Sequence, residues 1–180
     1  MHLPSTPMPA LMKNLLLLLG LSSSIASHGQ FKIKTEITGK GDTVYSTPEK
    51  RIYTVPGAKN SIGEIVKSSV YKSGTGISLC LTIQTGRTSV FSISEGDVAE
   101  LMLDDGSSLA LRSRGDYNSR RSALDYGCHL FAFYSLNGKA LDKLRSQNIK
   151  KISVFASLGK MVYDIEGKPD IIRKQVMSFD

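Results

Sequence analysis

The chain has no tryptophan, two cysteines, three histidines and six prolines in 180 residues. Each shortage narrows the chemistry. Without tryptophan there is no large aromatic platform on which to stack a sugar. That weighs against glycosidase chemistry, although Asp97, Asp104, Asp105, Asp116 and Asp125 supply carboxylates. All five stand in turn-like contexts, where aspartate serves the backbone. Two distant cysteines and scattered histidines give no zinc-ligand spacing. The acidic groups Glu95-Gly96-Asp97 and Asp104-Asp105 follow no EF-hand pattern and read as turns. No Gly-x-Ser-x-Gly elbow is present. Gly39-Lys40-Gly41 and Gly74-Thr75-Gly76 lack the lysine position and following helix of a phosphate-binding loop. His129 directly follows Cys128, but neighbours on one strand point to opposite faces, so the two cannot form a nucleophile–base pair within it. The expectation is a non-enzyme with no cofactor and no metal.

The start of the chain is an address. Lys13 precedes an apolar run from Leu15 to Leu21, followed by Ser22, Ser23, Ser24, Ile25 and Ala26. A charged segment, a short apolar core and a small-residue cleavage site make a secretory signal peptide over residues 1–26. The run is too short to span a bilayer as a helix. Residues 27–180 then form one domain of 154 residues, large enough to bury a core, with no transmembrane segment expected in the mature chain. The expected location is exported, periplasmic or secreted.

The 23 Lys and Arg exceed the 16 Asp and Glu, for a net charge of +7. The leader holds Lys13 and no acidic residue, so the remainder carries +6. A basic exported domain meets anionic glycans, lipid surfaces or acidic proteins; nucleic acid is not expected as a partner. In an oxidising compartment Cys80 and Cys128 are candidates for a disulfide, and each equally fits a small buried thiol in an apolar run.

The body of the chain reads as short strands. Phe31 to Ile37 alternates apolar and polar residues, as a half-buried strand does, and Gly39–Asp42 turns it. Further strands are expected over Arg51–Val55, Ile62–Tyr71, Ile77–Gln84 and Ser89–Ile93, with a hairpin turn at Ser73–Gly76. Val98–Leu103 and Ser108–Arg112 flank Asp104-Asp105-Gly106, a strong hairpin signal because Gly supplies the positive φ of a tight turn. Residues 113–125 are polar and read as a long exposed loop. Gly127–Ser135 is a strand, and a helix follows over Lys139–Gln147 with Asn137 as its cap. Lys151–Ala156 and Lys160–Ile165 form a hairpin across Gly159. A last helix opens at Gly167–Pro169, with Ile172, Val176 and Phe179 on one face.

Six to nine strands, largely antiparallel, with one or two C-terminal helices make an α+β fold, a sandwich or a half-open barrel. The spacing of Leu141-x-x-Leu144, Ile149, Ile152 and Tyr163-Asp164-Ile165 resembles small exported proteins of unknown function from Gram-negative bacteria. The resemblance covers the last third of the chain and implies no activity.

The remaining candidate site is basic. Arg112, Arg114, Arg120 and Arg121 flank Tyr117 and Asn118, and guanidinium forks suit sulfate, phosphate or carboxylate. Lys139 and Lys143 add charge at i,i+4 but, with Asp142 beside them, read as a solvated helix face. The functional expectation is a binding module for an anionic ligand or partner. The alternatives are a structural envelope or assembly component, or a periplasmic hydrolase built on His129 or two Asp residues.

Overall fold

A computed structural model describes residues 31–39, 41–57, 63–87, 89–121, 127–165 and 167–180. The proposed leader lies outside the described residues. The chain is α+β, mostly antiparallel strands with two short helices in its C-terminal part, and the larger sheet curls into a half-barrel.

The larger sheet contains β1 (Lys34–Ile37), β2 (Thr43–Ser46), β3 (Lys50–Val55), β4 (Glu64–Ser73) and β5 (Gly76–Thr85). It also contains β10 (Arg120–Arg121) and β11 (Cys128–Leu136). Its order is β1-β2-β4-β5-β11-β10, with β3 pairing β4 beside β2. The second sheet holds β7 (Val98–Leu103), β8 (Ser108–Arg112), β12 (Ile149–Ala156) and β13 (Gly159–Asp164), in the order β13-β12-β7-β8. A two-stranded pair joins β6 (Ser92–Ile93) to β9 (Tyr117–Asn118).

Alternation drives the packing. Along β11, Leu130, Ala132, Tyr134 and Leu136 turn inward with Cys128, while His129, Phe131, Phe133 and Ser135 turn outward. Along β7, Ala99, Leu101 and Leu103 are buried. These side chains meet Val66, Val70, Leu79, Leu81, Ile83, Ile152 and Val154 in one core. Strand β5 is buried on both faces. Its outward Ser78, Cys80 and Thr82 are small and sit in a trough between larger neighbours, where Tyr71 of β4 and Phe133 of β11 meet edge to face at 5.2 Å.

The sheets meet twice without merging. On one side Ser113 bridges Tyr134, and the Arg114 N–H donates to the Phe133 carbonyl at 2.9 Å. On the other side Tyr53 of β3 and Tyr163 of β13 stack edge to face at 5.1 Å, although the strands do not pair. The half-open barrel of the two expected architectures is therefore the one adopted.

The helices are α1 (Gly138–Ser146) and α2 (Ile171–Met177). As expected, Asn137 caps α1: its Oδ1 accepts the Ala140 N–H at 2.9 Å. Ile172 and Val176 of α2 are buried and Phe179 packs against the core. Helix α2 begins after Pro169 rather than at Gly167.

Several expectations need correction. There are thirteen strands among the described residues, not six to nine. The extra ones include β2 and the two-residue β9 and β10, too short to show a sequence pattern, and β9 takes its hydrogen bonds from β6, distant in sequence. Strand β1 is exposed at all four positions rather than half-buried, because it lies at the sheet edge on β2 with nothing packed over it among the described residues. Of Ser89–Ile93 only Ser92–Ile93 is strand. Residues 113–121 are not an open loop: Ser113 and Ser119 are buried, β9 lies between them and β10 follows. The rest of that expected loop, 122–125, lies outside the described residues.

Of the two readings of the cysteines, the buried thiol is the one the structure shows. Cys80 and Cys128 are free and buried. Cys80 stands opposite Phe133 and Cys128 opposite Thr85 on neighbouring strands. Five register steps at about 3.3 Å each put them about 16 Å apart. The odd number of steps also puts them on opposite faces of the sheet, so no bridge can close between them.

Candidate binding surface

The five residues expected to form one basic loop are divided by the fold. Arg120 stands opposite His129 and shares its outward face, whereas Arg121 stands opposite Cys128 and shares the core-side face at the sheet edge. Arg114 crosses the outer face of the large sheet, where its Nη1 donates to the Ser78 Oγ at 2.7 Å. Tyr117 lies half-buried on β9, 6.0 Å from the Phe133 ring. Burial pushes its phenol pKa up, and a backbone hydrogen bond at Phe133 and the charge of Arg114 only partly oppose this. Arg112 ends β8 and points elsewhere, its Nη1 donating to the Gly96 carbonyl at 3.2 Å.

The outer face thus gathers Arg114, Tyr117 and Arg120. A groove of about 480 Å³ there is lined by Tyr117, Arg120, His129 and Phe131, together with Asp116 and Asn118. His129 meets Phe131 edge to face at 5.9 Å. The Asp116 carboxylate accepts the Glu95 N–H at 2.8 Å, so this groove carries both signs of charge.

Arg112 belongs to a different place. Beside the β8–β11 seam lies a cleft of about 450 Å³ between β8 and the start of α1. Arg112 lines one side and Lys139 and Lys143 the other, with Ser108, Ser135 and Asn137 supplying further polar groups. No carboxylate is in this lining. Among the described residues none of the three cations forms an ion pair. The Lys143 Nζ donates to the Ser107 Oγ at 3.1 Å. Asp105, in the turn before β8, accepts the Ser107 N–H at 2.8 Å. Hydrogen bonds from Ser107 hold its carboxyl below the usual value, and the charge of Lys143 adds to that.

The lysines were legible in the sequence as a helix face, but nothing local placed them opposite Arg112. The i,i+4 spacing did show that they share one side of α1, and that is the signal that could have joined them to the site.

The arrangement is suited to holding charge. Cys80 is a poor nucleophile, since burial pushes its thiol pKa up to about 12. His129 faces outward beside Phe131 while Cys128 faces the core. Among the described residues no helix is long and apolar enough to cross a membrane.

No protein family, curated protein or solved structure matches this chain. Fold and site together define a half-open β-barrel with a cationic cleft at the seam of its two sheets.

Proposed function

We propose that this chain is a non-catalytic binding domain that takes an anionic partner in the cleft between β8 and α1. One observation carries the reading: Arg112, Lys139 and Lys143 line one cleft whose lining holds no carboxylate. Unpaired cations that share a concavity focus potential, and with no carboxylate in the lining they favour an anionic ligand. Arg114, Tyr117 and Arg120 on the outer face form a second, mixed-charge surface that the same reading does not require.

The test separates the site from net charge. The triple variant R112S/K139S/K143S is compared with K32S/K34S/K168S, which removes three exposed cations elsewhere. Retention on immobilised heparin at low salt should fall sharply for the first and little for the second, and the difference should shrink as salt screens the contacts. Equal losses from the two variants would reduce the cleft to a share of the general charge.

The reading includes export. Expressed from its first residue in a bacterial host, the chain should be recovered outside the cytoplasm with its N-terminus at residue 27. A cytoplasmic, uncleaved product would remove that part of the proposal.

A further inference from the structure

The same cleft exposes main chain as well as charge. Strand β8 pairs with β7 along one edge only. The Ser113 N–H donates to the Asp97 carbonyl and the Leu103 N–H to the Ser107 carbonyl, each at 2.8 Å. Antiparallel pairs alternate, so the odd-numbered residues of β8 aim their main-chain groups at β7. Ser108, Ala110 and Arg112 aim theirs away from it. Arg114, next in the even series, donates to the Phe133 carbonyl of β11. The seam is thus zipped at Ser113–Tyr134.

It opens toward Ser108 for a simple reason. Continuing the Ser113–Tyr134 register places Ser135 opposite Arg112 and Leu136 opposite Leu111. There β11 ends, and at Asn137 the chain turns into α1. Ala110 and Ser108 have no strand opposite them and, among the described residues, no main-chain partner on that edge. An unpaired edge is a template for another strand.

We infer that the anionic partner is an extended acidic peptide segment that adds to β8 as a further strand; this rests on the cleft reading above. Main-chain hydrogen bonds to Ser108 and Ala110 supply affinity, and the side chains of the added strand supply specificity. Leu109 and Leu111 face the core side of β8, whereas Ser108, Ala110 and Arg112 face out. The added strand therefore alternates, with an apolar residue beside Leu109 and carboxylates on the outward face that Ser108, Ala110 and Arg112 share. The lysines of α1 reach the same cleft from its other wall.

The test uses a blocked octapeptide of alternating Asp and Val, and two counterparts N-methylated at every second residue in the two possible frames. Inorganic phosphate and heparin serve as anions without a peptide backbone. Binding to the mature chain is titrated at low salt, with hydrogen exchange of the Ala110 amide as a local readout. The peptide should bind and slow that exchange. One methylation frame should raise Kd at least tenfold, and the other should change it little. If both frames bind like the parent, or if heparin or phosphate binds and the peptide does not, strand addition fails while the cationic cleft stands. If the peptide binds R112S/K139S/K143S as well as the native chain, the anionic reading fails and strand pairing remains. If no probe binds the native chain, both fail.

Discussion

Cys128 and His129 show how much one residue step decides. On β11 they are adjacent, yet one joins the core and the other the outer surface. Alternation made that separation legible from sequence. The relation of Cys128 to Cys80 was not legible, because it depends on the register between β5 and β11. Cys80 sits under Phe133 and Tyr71 with its thiol pushed up to about 12 by burial, an effect that a hydrogen bond with Ser69 only partly opposes. Both thiols should therefore resist Ellman's reagent in the folded protein, and both should react on denaturation without reductant. A denatured, unreduced chain with no titratable thiol would show a disulfide and overturn the register that separates them.

Among the elements, hairpins were read well and short pairings were not. Asp104-Asp105-Gly106 carries its own instructions. Gly106 adopts φ 83°, the left-handed region that favours glycine, and the Asp105 side chain accepts the Ser107 N–H. Strands β9 and β10 carry no such local signal; two residues each become strand only because β6 and β11 present a ladder.

Helix α2 was foreseen by its apolar stripe, but its anchor was not. Gln175 is fully buried on that helix. Its Oε1 accepts from the Ser68 Oγ at 2.8 Å, and its Nε2 donates to the carbonyls of Ser68 at 2.8 Å and Pro48 at 3.1 Å. One amide thus ties the last helix to β4 and to the segment before β3. A polar group left buried without its partner costs about 1–3 kcal/mol. Gln175→Ala strands several groups and leaves a void, so it should destabilise by about 2–4 kcal/mol in urea unfolding. A loss below about 0.5 kcal/mol would mean that water replaces the amide freely.

At the scale of the whole molecule, two incomplete closures shape the surface. Tyr53 against Tyr163 brings β3 and β13 together without hydrogen-bonded pairing. The Ser113–Tyr134 bridge joins β8 to β11 for one step and then releases them. A closed barrel would satisfy the β8 edge and fill the cleft. The half-open one leaves the outer edge of β8 at Ala110 and Ser108 without a strand partner among the described residues, beside Arg112, Lys139 and Lys143. The candidate site is therefore a property of closure and not of any motif.

The division between sequence and tertiary structure follows from the range of the forces involved. Alternation, turn residues and a helix cap act over a few positions, so the α+β class, the β7–β8 and β12–β13 hairpins and the cap at Asn137 were determined by the sequence alone. Strand order, register and the point where two sheets part depend on contacts between residues far apart in the chain. Those contacts sent Arg112 to one surface and Arg114 and Arg120 to another. They also separated the two cysteines and turned a solvated lysine face into the wall of a cleft.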